Sequence, residues 1–291
     1  MTEKPVRRLG RRDVDISAVE VLGMSIRVAV WHGSDHRPPL LIFNGIGAGL
    51  EMVAPFADAM HDTTVIAFDV PGSGESDVPP LPYRMWMLGV VVGKLLDRLD
   101  GVDTRRIDVL GVSWGGAAAQ QFAVQNPRRC RRLVLCATAA GMVMVPPKWS
   151  VLKSFMTPRR HNDKDYLRKV APSIYGGKAV EPGVLEGFGR TSRRGYLLQQ
   201  LALSGWTSAP WLPLVRQPTL VLAGGDDRVV RPANLRIIAA LLPDARLHVL
   251  DDGHLFVISS AEETAALVTD FLADPDIHAV DDYSPTKEED A

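Results

Sequence analysis

Apolar residues along this chain come in two rhythms that alternate from end to end. Short continuous apolar runs read as strands buried on both faces: Leu40 to Phe43, Thr64 to Phe68, Ile107 to Val112, Leu133 to Ala137, Thr219 to Ala223 and Leu247 to Leu250. Longer stretches with helical spacing follow them: Glu51 to Met60, Met85 to Leu99, Ala117 to Gln125, Pro232 to Leu242 and Ala261 to Leu272. Near the start, alternation around Val19-Glu20-Val21 and Ile26-Arg27-Val28-Ala29-Val30, with Gly23 between, predicts a hairpin. Strands that alternate with helices in this way predict an α/β domain with a doubly wound, mostly parallel sheet.

One segment breaks the alternation. From residue 138 to residue 218 no clear strand appears. The segment is rich in Pro, Met and aromatic residues, including Met142, Met144, Trp149, Phe155, Met156, Tyr166, Tyr175, Phe188, Tyr196, Trp206 and Trp211. Asp163 to Ile174 and Arg193 to Leu203 have helical spacing. The expectation is a helical cap inserted over the carboxyl edge of the sheet, where ligands bind in open α/β folds. Any one of its aromatic residues can simply pack the cap. As a group they must form part of a pocket wall.

Composition narrows the classes. The chain has 291 residues, of which 46% are hydrophobic, enough for one large core with an insertion. A net charge of −1 offers no general attraction to nucleic acid or an anionic membrane. The basic N-terminus lacks the apolar stretch of a secretory signal, and no run is long and apolar enough to span a bilayer. Cys130 and Cys136 make no disulfide framework and read as reduced thiols, which fits the cytoplasm. Arg7, Arg8, Arg11 and Arg12 read as part of a solvated tail, and the acidic C-terminus as another. The expected division is a tail over 1–15, a core over 16–140 and 213–273, a cap over 141–212 and a tail over 274–291.

The chemistry concentrates at Gly111-Val112-Ser113-Trp114-Gly115-Gly116, between a strand and a helix. This is G-x-S-x-G, the nucleophile elbow of α/β-hydrolases. Serine at so tight a turn needs neighbours without bulk, and the helix start turns free N–H groups toward the hydroxyl. A serine needs a base. His254, in the loop after the last strand, has the chain position that this fold gives to its histidine. Gly224-Gly225-Asp226-Asp227 supplies the acid. Spacing from Gly224 favours Asp227, with Asp226 as a turn residue. Asp251 and Asp252 read as loop carboxylates. The oxyanion donors expected are the amide of Trp114 and, from Phe43-Asn44-Gly45-Ile46-Gly47, that of Ile46, with Asn44 bracing the loop. Asp69-Val70-Pro71-Gly72-Ser73-Gly74-Glu75-Ser76 matches the D-x-P-G-x-G-x-S loop common in this fold and is too poor in glycine for a dinucleotide fingerprint.

Several further stretches resemble the intracellular depolymerases of medium-chain-length poly(3-hydroxyalkanoate). They are Pro39 to Ala48, Val65 to Gly72, the elbow with Ala119-Gln120-Gln121-Phe122-Ala123, and Leu133-Val134-Leu135 with Ala137-Thr138-Ala139-Ala140-Gly141. Asp251-Asp252-Gly253-His254-Leu255-Phe256 belongs with them, as do Pro158-Arg159-Arg160, Ile174-Tyr175-Gly176-Gly177 and Gly205-Trp206-Thr207-Ser208 in the cap. The likeness runs from about residue 17 to about residue 272; the acid loop and both tails depart from it.

The resemblance implies a serine hydrolase of a water-insoluble polyester, working at a granule surface inside the cell and needing no cofactor or metal. It implies an apolar acyl site, for which Met142, Met144, Trp149 and Trp206 are the candidates. Other readings of the same fold are a soluble carboxylesterase, a thioesterase or a C–C bond hydrolase. A dehalogenase is disfavoured by serine at the nucleophile position, and a non-catalytic binding protein by the complete set of Ser113, Asp227 and His254.

Overall fold

The computed structural model describes residues 9–34, 37–142, 144–156, 164–178, 184–185 and 191–275. Its eight strands are β1 (Val14–Val21), β2 (Met24–Trp31), β3 (Leu40–Phe43), β4 (Val65–Phe68), β5 (Ile107–Val112), β6 (Cys130–Cys136), β7 (Thr219–Gly224) and β8 (Ala245–Leu250). They form one sheet in the order β1-β2-β4-β3-β5-β6-β7-β8. Pairing is antiparallel from β1 through β2 to β4 and parallel beyond. The predicted hairpin is β1–β2, turning on Leu22 and Gly23, both at positive φ. Such a turn matches the right-handed twist of the strands it joins.

The core helices are α1 (Ala54–Ala59), α2 (Met85–Leu96) and α3 (Trp114–Gln125), then, after the insertion, α7 (Pro232–Leu241), α8 (Phe256–Ser259) and α9 (Ala261–Ala273). The insertion carries α4 (Trp149–Met156), α5 (Lys164–Tyr175) and α6 (Arg193–Leu203). The helix expected over Glu51 to Met60 is divided into a 3-10 turn, Leu50–Met52, and α1. Pro55 lies in the first turn of α1, where its missing N–H costs nothing. The side chains of Phe155 and Met156, the residues 157–163 and Phe188 lie outside the described residues.

The uninterrupted apolar runs are explained by burial on both faces. Leu41, Phe43 and Val109 point into one apolar cluster, with α2 and α3. Leu40, Ile42 and Leu110 point into the other, with α1 and α9. Edge strand β8 is different: Arg246 to Val249 are all exposed and only Leu250 is buried, so the expected strand over Leu247 to Leu250 is not buried on both faces, and the apolar run starts later than the strand.

The expected N-terminal tail is tied down before β1. Arg12 donates from its guanidinium to the carbonyls of Ala57, Met60, His32 and Thr63. The amides of Arg11 and Arg12 donate to Asp58. A basic cluster in sequence carries no sign that one of its members will meet four carbonyls, so the sequence pattern concealed this staple.

Phe122 is fully buried on α3 and lies 5.6 Å, centroid to centroid, from the ring of Phe43. It wedges the helix behind β5 against the sheet. Replacing it by alanine removes that contact and opens a cavity, with an expected loss of about 3–5 kcal/mol in urea unfolding. A loss below about 1 kcal/mol would show that α3 is held from elsewhere.

Candidate active site

The carboxyl ends of β3, β5, β7 and β8 bring together the side chains that sequence reasoning nominated. Ser113 follows β5 directly, with φ 55° and ψ −118°. This conformation is rare for a residue with a side chain and costs on the order of 1–3 kcal/mol. Both sides of the residue are pinned. Its amide donates to the Cys136 carbonyl at 2.9 Å. Its own carbonyl accepts from the Gly116 amide at 2.9 Å and the Thr138 hydroxyl at 2.7 Å. The flanking glycines are required by proximity: a Cβ on Gly115 would lie 2.1 Å from the Phe43 carbonyl oxygen, and one on Gly116 would lie 2.4 Å from Thr138.

His254 sits beside the hydroxyl. Its Nε2 is 3.1 Å from Ser113 Oγ, and its Nδ1 is 2.7 Å from Asp227 Oδ2. The other Asp227 oxygen accepts from the amides of Val229 and Val230 at 2.9 and 2.8 Å. Imidazole and carboxylate are both buried. Asp226 faces the other way. It is bonded through both oxygens to Arg228 and accepts from the Gly177 amide. The Arg228 contact holds its pKa below the usual carboxylate value. Adjacent aspartates thus have separate tasks, and only the Asp227 side chain meets the imidazole.

The loop after β3 is braced from several sides. Asn44 donates to the Gly49 carbonyl and accepts from the Gly45 amide. Buried Asp69, from the glycine-rich loop after β4, accepts from the amides of Leu50 and Glu75. Burial raises the Asp69 pKa, against the pull of those amides and of nearby Arg27. The Trp114 amide opens α3 and so has no acceptor within the helix. The Ile46 amide lies on the facing loop, and no acceptor for it is found among the described residues. A group bearing developing negative charge can accept from both.

Three features escaped the sequence reading. Tyr175, at the end of α5, stacks on the His254 ring with centroids 6.1 Å apart and planes within 12°. Its carbonyl accepts from the His254 amide at 2.8 Å. Asp252 is more than a loop carboxylate: it accepts from the amides of Gly253 and Lys178 and from the hydroxyls of Ser259 and Ser260. Burial works to raise its pKa, yet these four bonds outweigh burial and hold it below the ordinary value. Gln199 of α6, buried, joins the loop that carries Ile46 to the indole of Trp114 at the start of α3. Single polar residues inside an irregular segment leave no periodic signal, although Tyr175 lies in a stretch already noted for its resemblance.

Beside Ser113 and His254 lies a cavity of about 60 Å³, walled by Ile46, Met52, Val53, Tyr175, Val257 and Ile258 among others. None of the four proposed cap residues, Met142, Met144, Trp149 and Trp206, lines this cavity. Met142 and Trp149 are 72% and 76% exposed. Met144 is half-buried. Trp206 donates to Gln121 and packs edge-on against Trp211. No cluster of His, Cys, Asp or Glu suited to a metal ion occurs among the described residues.

With this geometry in view, comparison with known proteins gives a consistent result. The profile of a family described as alpha/beta hydrolase fold matches residues 38–173 and 191–261. The chain is 48% identical over 260 residues to the poly(3-hydroxyalkanoate) depolymerase of Ectopseudomonas oleovorans, a match covering 87% of this chain and 91% of that protein. It is 28% identical over 276 residues to the 2-hydroxymuconate semialdehyde hydrolase of Pseudomonas sp. (strain CF600), covering 90% of this chain and 95% of the other. Among solved structures, a hydrolase from Pseudomonas aeruginosa PA01 superposes with a TM-score of 0.74 at 28% identity, over 89% of this chain and 99% of that one.

Asp252→Asn tests the anchoring of the histidine loop. Because the folded-state pKa of Asp252 lies below its unfolded value, the anchor is fully present above the unfolded pKa, about 3.9, and is lost as pH falls through the folded value. The variant should melt below the wild type at pH 7 by roughly 3 °C or more, the scale expected for hydrogen bonds to a charged group. As pH falls below about 4 the gap between the two melting temperatures should narrow, and it should close only below the folded-state pKa. A gap that stays constant from pH 7 to pH 3 would count against an anchoring carboxylate.

Proposed function

The chain belongs to the α/β-hydrolase family as a hydrolase of carboxylic esters, and from that footing we propose that it degrades medium-chain-length poly(3-hydroxyalkanoate) inside the cell through an acyl-enzyme on Ser113. The observation that carries this reading is the 48% identity to a protein named for that polymer. The unmatched remainder, about one-eighth of the chain, is shorter than the segment 141–212, so the likeness reaches into the insertion that distinguishes one hydrolase of this fold from another. Products are 3-hydroxy fatty acids or short oligomers. The division into a core over 16–140 and 213–273 and a cap over 141–212 belongs to the same proposal, with residues 9–15 bound to the core and not part of a free tail, as does residence at a polyester granule.

The mechanism follows from the side chains around Ser113. His254 Nε2 accepts the Ser113 proton as Oγ attacks the ester carbonyl. Asp227 holds the imidazole in the tautomer that leaves Nε2 free to accept, and stabilises the imidazolium once it forms. The amides of Ile46 and Trp114 receive the oxyanion; losing one such donor costs about 2.7–4 kcal/mol of transition-state stabilisation. The imidazolium then gives its proton to the leaving alkoxide, so an alcohol end departs and an acyl-enzyme remains. Water attacks this ester in turn, His254 takes its proton, and the acid and free Ser113 are released. An apolar wall of Met52, Val53, Leu255, Val257 and Ile258 favours an alkyl group on the acyl side.

Ser113→Ala should lower ester hydrolysis by at least about 10⁴-fold with the fold retained, and Asp227→Asn by about 10⁴-fold. Asp226→Asn should stay within a few-fold of wild type. An inactive Asp226→Asn beside an active Asp227→Asn would reverse the assignment of the acid.

Substrate class is tested by hydrolysis of a medium-chain polyester suspension together with p-nitrophenyl esters of increasing length. Each buried methylene contributes about 0.8 kcal/mol. Going from four to eight acyl carbons should therefore raise kcat/KM by about tenfold with partial burial and about a hundredfold with full burial. A flat profile with an untouched polymer would favour a soluble short-chain esterase, with the same triad.

A further inference from the structure

Helix α2 is more apolar than its place on the surface requires. Met85-Trp86-Met87-Leu88-Gly89-Val90-Val91-Val92 runs without a polar side chain. A helix apolar on every side is ordinarily enclosed. Here Met85, Leu88 and Val92 meet the core, while Trp86, Met87 and Val90 are exposed. Helix α6 of the insertion repeats the arrangement: Leu198 and Ala202 are buried, while Leu197 and Leu201, one turn apart, are exposed. Two arginines tie these elements together. Arg84, just before α2, donates to the carbonyls of Leu201 and Ser204. Arg194 of α6 donates to the carbonyls of Pro79 and Pro80, beside Leu81, which is 73% exposed. Leu81, Trp86, Met87, Val90, Leu197 and Leu201 therefore belong to one exposed apolar face that runs from the core onto the insertion.

Single exposed apolar residues are ordinary, but a contiguous group marks an interaction surface. Charge narrows what this one meets. Over residues 78–94 and 191–204 the charged side chains are Arg84, Lys94, Arg193 and Arg194, with no Asp or Glu. Arg84 and Arg194 find carbonyls as acceptors, which leave their charge in place. In the chain as a whole acidic and basic residues balance, to a net charge of −1, so this face is locally cationic. A second copy of the face would set cation against cation, which disfavours self-pairing. The partner that fits is apolar and anionic at once. A polyester under hydrolysis has that chemistry: its alkyl side chains are apolar, and each cleaved ester leaves a carboxylate at a chain end. The position fits as well. The other side of α6 meets the loop that carries Ile46, where a Cβ on Gly47 would lie 3.0 Å from the Tyr196 ring. The face and that loop are thus about one helix diameter apart, roughly 10–12 Å.

We propose that this face docks the enzyme on the surface of its insoluble polyester, with the apolar side chains entering the alkyl layer and the basic ones meeting carboxylate chain ends. The assignment deepens the polyester reading and rests on it. A chain fixed in a particle cannot diffuse to Ser113, so the enzyme must come to the particle and stay there between cleavages. Attachment through the face makes each later encounter with an ester intramolecular and raises its effective concentration. A dissolved ester arrives by diffusion and gains nothing from docking. The face therefore acts on the polymer alone, and the triad acts on both substrates alike.

The test measures adsorption to suspended medium-chain polyester particles, in a Ser113→Ala background so that the surface is not consumed. Trp86→Gln with Val90→Gln, and separately Leu197→Gln with Leu201→Gln, make the face polar at exposed positions. Leu247→Gln with Val249→Gln, on the exposed edge strand β8, is the control. Each face pair should weaken adsorption by about tenfold or more, and Arg193→Glu by about fivefold. The control should stay within about twofold. With Ser113 restored, hydrolysis of p-nitrophenyl butyrate should stay within about twofold in every variant, while polymer hydrolysis falls with adsorption. The proposal is overturned if the face variants adsorb as well as the parent, or if the control loses as much. It is also overturned if phosphatidylglycerol vesicles bind the face and the particles do not, which assigns it to a membrane, or if the wild type is a dimer that the face variants dissociate. Undiminished polymer hydrolysis by the face variants discards the face alone. Adsorption through the face beside an uncut polymer keeps the docking surface and discards the polymer as substrate.

Discussion

The site depends on a backbone that is held where it would not settle by itself. Ser113 has a positive φ, a region that disfavours any residue with a Cβ. Its amide and carbonyl are nevertheless both bonded, to Cys136 on one side and to Gly116 and Thr138 on the other. Two of these partners follow from β6 lying parallel beside β5. The sheet register therefore stabilises the turn, and the turn lifts the hydroxyl above the sheet edge. Strain persists where surrounding structure over-determines it. Here the determinants are the backbone of the neighbouring strand, the first turn of α3 and a threonine hydroxyl.

Electrostatics adds a second constraint on the same edge. Asp69 and Arg27 are buried together, with Glu51 and Glu75 also within ion-pair distance of the guanidinium. Such a cluster adds little net stability once the loss of hydration is counted. Its value lies in direction: the Asp69 oxygens fix the amides of Leu50 and Glu75, and so join the loop after β3 to the glycine-rich loop after β4. Asp252 does the same on the far side, where it joins the histidine loop to the insertion. Ser113 and His254 thus stand between the loops held by two buried carboxylates, Asp69 and Asp252, neither of which bonds to their side chains.

Much of this was legible in the sequence because it is written in local rules. Strands buried on both faces leave apolar runs, and the elbow leaves its glycines at fixed offsets from Ser113. Chain order then singled out His254 from seven histidines. What escaped has a common cause. Arg12, Tyr175, Gln199 and Asp252 act through contacts with residues far away in the chain or through backbone atoms, and neither has a period. The reading of Met142, Trp149 and Trp206 as pocket residues relied on residue type alone. Apolar character says that a side chain gains by leaving water, but not which surface it leaves water for. Trp206 finds a partner in Trp211, while Met142 and Trp149 remain largely in solvent.

How the insertion meets the core limits what it can vary. A Cβ on Gly195 of α6 would lie 1.7 Å from the Gly72 carbonyl oxygen. One on Gly177, just past α5, would lie 1.9 Å from the Gly253 amide. At both places backbone lies on backbone, with no room for a side chain of any kind. Gly72 belongs to the loop that Asp69 organises, and Gly253 immediately precedes His254. The insertion is consequently seated against the two loops that flank Ser113 and His254. Sliding it along the sheet edge would disturb the same turns that orient Asp69 and the imidazole. Substrate preference can then change only through side chains between these fixed points, which is where Tyr175 stacks on His254 and where Gln199 reaches Gly47.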